Sequence, residues 1–158
     1  MTPRNPSRLK WLQCFIPHRL ELLTSPAWNA APAQLRRMIE RLEVEHLRHG
    51  GMKNGNLFVS YSKFSACGIS RRQIRGLTEL GQGLGLLECR QDVDASNGRI
   101  RPPNAYRLTY VPEEGHKAPT DEWRSVTEKQ ALTLLDRFRA RDTRSRSRQD
   151  ADRFEDVA

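Results

Sequence analysis

Cysteine is scarce in this 158-residue sequence, which holds Cys14, Cys67 and Cys89 and no C-x-x-C pair. An odd number at that spacing supports neither a disulfide framework nor a zinc knuckle, and free thiols, buried or half-buried, are the expectation. Long apolar runs are missing as well. No stretch approaches the roughly 18 consecutive apolar residues of a membrane span. Arg4, Arg8 and Lys10 make a basic start, but the apolar run of about 7 to 15 residues that completes a secretory signal does not follow. The chain is expected to be soluble and cytoplasmic, with no membrane partner.

Catalytic and ligand-binding signatures are equally sparse. His46 and His49 stand three apart beside Glu45. A zinc-protease helix needs His-Glu-x-x-His, with the histidines four apart and the Glu between them. No cluster of cysteines or carboxylates offers a third ligand, so no metal is expected. The two histidines read as partly exposed residues near a helix C-terminus. No G-x-x-x-x-G-K-[ST] loop occurs, and Gly81, Gly83 and Gly85 alternate ahead of a strand instead of joining a strand to a helix. Ser60 and Ser62 lack a G-x-S-x-G setting, and Cys67 has no evident histidine partner. Neither an enzyme nor a cofactor is expected.

Positive charge is what the chain has in excess, with 27 Lys+Arg against 19 Asp+Glu and a net charge of +8. Its placement is uneven: residues 1–50 carry +4, residues 51–111 carry +5, and residues 112–158 carry −1. A positive body of this kind is the electrostatic footprint of a polyanion binder, although charge says nothing about fold. Hydrophobic residues at 37% leave room for a small core, which at this length means one domain with extensions.

Periodicity and punctuation divide the chain. A short helix is expected over Ile16 to Leu23, and Ser25-Pro26 places a capping residue before a helix-compatible proline. The longest helical pattern runs from about Pro32 to His49, with Leu35, Met38, Ile39, Leu42 and Leu47 near 3.6-residue spacing, and Gly50-Gly51 stops it. After the Asn54-Gly55 turn signal, Leu57 to Tyr61 reads as a strand and Tyr61 to Ala66 as a short helix ended by Gly68. Ser70 sits at the N-cap of a helix over residues 71–83, on which Ile74, Leu77 and Leu80 keep one apolar side. Leu86 to Gln91 reads as a strand, and residues 92–104 as a polar loop with Asn97-Gly98 at its tip. The second hairpin strand, Ala105 to Val111, alternates, with Tyr106, Leu108 and Tyr110 on one face and Arg107 and Thr109 on the other.

The order helix, strand, helix, tight turn, helix, β-hairpin is that of a winged helix-turn-helix, in which the second helix of the pair enters the major groove. The expected class is α+β, mainly α, with an N-terminal helical extension and an extra C-terminal helix. Residues 1–31 form an arm with short helices, 32–111 the winged domain, 112–126 a linker, 127–140 the last helix and 141–158 a charged tail expected to be disordered. Thr127 and Gln130 have capping-box spacing.

On this reading Ser70, Arg71, Arg72, Gln73 and Arg75 lie at the start of the recognition helix, and Arg99 and Arg101 on the wing. An Arg fork suits phosphate or the O6/N7 edge of guanine, and Gln73 can offer a donor and an acceptor to adenine. Asp92 and Asp94 oppose the wing's charge, which puts the weight on residues 97–101. The plainer reading of such arginines is a solvated helix face. The glycine-rich stretch Gly81-Gln82-Gly83-Leu84 predicts a frayed or bulged helix end, because each helical glycine costs up to about 1 kcal/mol.

The stretches Asn54-Gly55-Asn56-Leu57-Phe58-Val59-Ser60-Tyr61, Gly68-Ile69-Ser70-Arg71-Arg72, Leu77-Thr78-Glu79-Leu80, Gly85-Leu86-Leu87-Glu88 and Tyr106-Arg107-Leu108-Thr109 carry a likeness. Through them residues 32–111 resemble the winged-helix domains of bacterial transcription regulators and of plasmid and phage replication initiators. The extension Pro119-Thr120-Asp121-Glu122-Trp123-Arg124 is similar to one found in small bacterial proteins of this kind. The likeness implies a sequence-specific double-stranded DNA-binding protein, most simply a transcription regulator. A winged-helix protein–protein interaction module and a replication or partition protein of a mobile element are the alternatives. Ala131, Leu134, Leu135 and Phe138 form an i, i+3, i+4, i+7 stripe that either packs on its own domain or pairs with a second copy in a homodimer. The alternating Arg144, Arg146 and Arg148 could add phosphate contacts or simply be solvated.

Overall fold

The structure is a computed structural model and describes residues 15–90, 104–115 and 118–155. Cys14, the tip of the expected wing and residues 156–158 lie outside the described residues.

Local chemistry sets most element boundaries. The first helix, α1, is only Leu20–Leu23, shorter than the expected 16–23, and of its three leucines Leu22 alone is buried. The Ser25 hydroxyl accepts the Trp28 N–H at 3.2 Å and starts α2, Pro26–Ala30. Helix α3, Ala33–Arg48, buries Leu35, Met38, Ile39 and Leu42 along one stripe. It stops where Gly50 and Gly51 take φ of 68° and 73°, a conformation glycine adopts without steric cost. Strand β1 is Leu57–Phe58 alone, since Tyr61 opens α4, Tyr61–Ala66. Helix α5, Arg71–Gly83, follows after a four-residue turn.

Strands β2, Leu87–Arg90, and β3, Ala105–Leu108, complete an antiparallel sheet of order β1-β3-β2. Tyr106 pairs with Leu57 on one side and Cys89 on the other. Asn54 holds this arrangement from beneath. Its buried carboxamide accepts the Leu108 N–H at 2.7 Å and donates to the Leu108 and Val111 carbonyls at 2.8 Å each. The Asn54-Gly55 turn is thus also a long-range pin. The core joins α1, α3, α4, α5 and the sheet through Leu22, Leu35, Phe64, Ile74 and Tyr106, all fully buried.

Three expectations about the second half need correction. Residues 112–126 are no free linker: Trp123 is buried in a 3-10 turn, Glu122–Ser125, packed on the outer face of the sheet. There Arg107 donates to Glu88 at 2.7 Å and to Thr120 and Glu122, so Arg107 and Thr109 are buried although they alternate with the apolar positions. Asp121 and Gly85, at φ of 52° and 65°, shape the close approach of the two backbones. The last helix, α6, spans Glu128–Glu155, so residues 141–155 are helical and not a disordered tail. Its first half nucleates on the body, and adding arginine-rich turns to an existing helix is cheap.

The stripe of α6 is also occupied. Ala131 and Leu135 are buried, and Leu134 and Phe138 are half-buried, against the chain's own core, so the stripe packs on its own domain, the first of its two readings. At the start of α6, Thr127 and Gln130 exchange capping bonds as their spacing predicts. The chain is α+β and mainly helical, with one small antiparallel sheet. Among the described residues, no helix is long and apolar enough to cross a membrane.

Candidate nucleic-acid interface

The turn between α4 and α5 is closed by Gly68 at φ 82°, with its N–H on the Ser65 carbonyl at 2.9 Å. Ile69 is buried behind it and donates to the Phe64 carbonyl, and this fixes the angle at which α5 leaves. Ile74, Leu77, Thr78 and Gly81 face the core, and the Thr78 hydroxyl is spent on the Ile74 carbonyl at 2.8 Å. The expected fraying at Gly81 and Gly83 does not occur. Both lie within α5, where a methyl group on Gly81 would come within 2.8 Å of Leu87 and one on Gly83 within 3.1 Å of Leu134. These glycines are contact points for neighbouring side chains.

The predicted contact residues divide into two groups. Ser70 is exposed at the N-cap, although its side chain makes no capping bond. Arg71 is exposed, and among the described residues its side chain makes no hydrogen bond or ion pair. Arg75 is 75% exposed and, among the described residues, reaches only Glu79, one turn along, at 3.0 Å. Arg72 and Gln73 are turned the other way. Arg72 donates to Asp142 of α6 at 3.1 Å, and Gln73 donates to both oxygens of the same carboxylate at 3.2 Å. In the structure the side chains of both residues are engaged by Asp142. Arg99 and Arg101 lie outside the described residues.

Helix α6 covers the outer flank of α5, running antiparallel to it. Leu134 meets Gly83, Phe138 meets Gly76, and Asp142 meets Arg72 and Gln73. Glu79 sits between the helices and accepts from Arg75 and from Arg141. Partial burial works to raise its pKa, but the two guanidinium bonds outweigh that and hold it below the usual carboxylate range. Asp142 is the residue that sequence reasoning missed. The stripe 131, 134, 135, 138 continues at i+4 to 142, and the polar side chain there hides the continuation.

Little else in the site is reactive. Cys67 and Cys89 are half-buried free thiols, and burial pushes the Cys89 thiol up, away from the thiolate. His46, expected to be partly exposed, is buried on α3, which lowers its pKa against the opposing charge of Glu43. Among the described residues, no group of three or more His, Cys, Asp or Glu side chains is arranged to hold a metal ion.

Comparison with protein-family models, with curated proteins and with solved structures returns no match.

Proposed function

We propose that the chain is a winged helix-turn-helix protein that binds double-stranded DNA, with the start of α5 directed at the duplex. The observation that carries this reading is the uncovered pair Arg71 and Arg75 on the first two turns of the second helix of a tightly turned pair. A helix N-terminus favours phosphate by its exposed N–H groups and its dipole, and a guanidinium fork adds two parallel donors to phosphate or guanine. The sheet order β1-β3-β2 supports it, because β2 and β3 pair antiparallel as the two strands of a wing would. Arg99 and Arg101 fall between those strands in the sequence. The +9 held by residues 1–111 also supports the reading. Transcription control is the simplest use of such a protein, and replication or partition control of a mobile element would use the same contacts.

One observation favours a second reading. Helix α6 occupies the flank of α5 that a groove-reading helix would expose, which suits a winged-helix module that docks on protein. Selection of bound fragments from a random duplex pool, followed by titration of the recovered site against salt, separates the two. DNA binding gives an enriched motif and an affinity that falls linearly on a log–log salt plot. No enrichment, with binding undetectable at low salt, favours the protein-docking module.

A further inference from the structure

The last third of the chain is close to neutral as a whole, which hides a local excess. Residues 137–148 hold six arginines and one aspartate. All of them lie on α6, and the aspartate, Asp142, is turned inward onto Arg72 and Gln73. Arg137, Arg141, Arg144 and Arg148 recur at i, i+4, i+7 and i+11, which places them on one flank of the helix. That flank spans about 16 Å at the 1.5 Å rise of an α-helix. All four are exposed, and among the described residues Arg137, Arg144 and Arg148 make no ion pair.

The flank does not end at the edge of α6. Arg141 and Arg75 share the carboxylate of Glu79, so the row on α6 adjoins Arg75 and, one turn earlier on α5, Arg71. Because the helices are antiparallel, Arg144 and Arg148 lie beyond the start of α5, on the side where Arg71 stands. Six arginines from two helices thus share a surface with Glu79, whose charge is divided between two of them.

We propose that α5 and α6 form one composite face for the phosphate backbone of duplex DNA, with the arginine row of α6 as its larger part. This rests on the DNA-binding reading above. Packed helices stand 8–10 Å apart, so the pair is roughly 20 Å across, while the major groove is only about 12 Å wide. With α6 docked, the pair lies against the backbone, and the contacts of this composite face set affinity and position, leaving sequence preference to contacts outside it. Duplex DNA presents one negative charge per about 1.7 Å of axis, so a row of about 16 Å meets several phosphates.

The test compares the full chain with the variant R137Q/R141Q/R144Q/R148Q by fluorescence anisotropy on two labelled duplexes of unrelated sequence, across a salt series. Glutamine keeps nearly the helix propensity of arginine, and circular dichroism checks the helix content. The expected result is a log–log salt slope shallower by about 2 to 4, at about 0.9 per phosphate contact removed, with both duplexes weakened alike. R144Q/R148Q, whose positions lie past the packed part of α6, should give about half that change without touching the fold. An unchanged slope in both variants overturns the inference and leaves the DNA-binding reading standing. So does a loss confined to one duplex. If the unmodified chain binds neither duplex, the DNA-binding reading itself has failed.

Discussion

Replacing Asp142 with alanine separates the two roles that α6 plays on α5. In the structure this carboxylate accepts from Arg72 at 3.1 Å and from Gln73 twice at 3.2 Å, with both ion-pair partners about four-fifths buried. Hydrogen bonds to a charged group contribute about 1.5 to 3 kcal/mol each when buried, and exposed ion pairs about 0 to 1. A partly buried cluster falls between, so Asp142→Ala should cost about 1 to 3 kcal/mol. For a chain of this length that is a fall in melting temperature of about 2 to 12 °C. The same change frees Arg72, one turn from Arg71, to meet a phosphate. DNA binding at low salt should therefore tighten while stability drops, and the log–log salt slope should steepen by about 0.9. Thermal melts by circular dichroism and anisotropy titrations on one preparation read both quantities. A variant that melts with the wild type would refute the assignment of Asp142 as the clasp, and a destabilised variant with unchanged DNA affinity would show that Arg72 is not positioned to reach DNA.

Other expectations follow from the body of the fold. At Gly85, φ is 65° and a methyl group would stand 2.7 Å from the backbone of Glu122 and Trp123, so Gly85→Ala combines left-handed strain with a backbone clash. It should cost about 2 to 5 kcal/mol and expose Trp123 to solvent, and a native-like tryptophan emission and melt would count against the docking of that segment. Asn54→Leu removes three buried hydrogen bonds and leaves the Leu108 N–H and two carbonyls unpaired, for an expected loss of about 2 to 5 kcal/mol in urea unfolding. His18 is raised above the ordinary imidazole value near 6.5 by its hydrogen bond to Glu43 at 2.6 Å, with burial opposing and the Glu43 charge adding. Its stabilising contribution is full below about 6.5 and is lost as pH rises through the raised folded value. His46 is lowered by burial, so its contribution is present above about 6.5 and lost as pH falls through the lowered value. Imidazole shifts followed by NMR should show the two titrating on opposite sides of 6.5, and titration in the reverse order would refute the burial of His46.

What was legible in the sequence is what local chemistry decides. Ser25 ahead of Pro26, Gly50-Gly51 after a long apolar stripe, and the Thr127–Gln130 pair mark their boundaries through bonds within four residues. The length of α5 and the inward set Ile74, Leu77 and Leu80 follow from periodicity. The rest depends on distant partners. Arg107 alternates like an exposed strand residue, but carboxylates at Glu88 and Glu122 bury it. Trp123 needs the left-handed Asp121 and the bare Gly85 backbone to dock, and neither is visible from spacing. The second half of α6 has almost nothing apolar to announce it and is helical because it continues a packed segment. Of the candidate site, Arg71 and Arg75 could be read directly, whereas the fate of Arg72 and Gln73 was set by an aspartate about 70 residues away.

If the first turns of α5 bind duplex DNA, Arg71→Ala together with Arg75→Ala must weaken that binding. Neither side chain packs in the core, so the melting temperature should stay within about 2 °C of wild type. The quantity to measure is affinity for the selected duplex as a function of salt. The expected result is at least a tenfold loss at moderate salt and a log–log slope shallower by about 2, from two arginine contacts at about 0.9 each. Equal affinity and an equal slope in the double variant would mean that the start of α5 does not touch DNA.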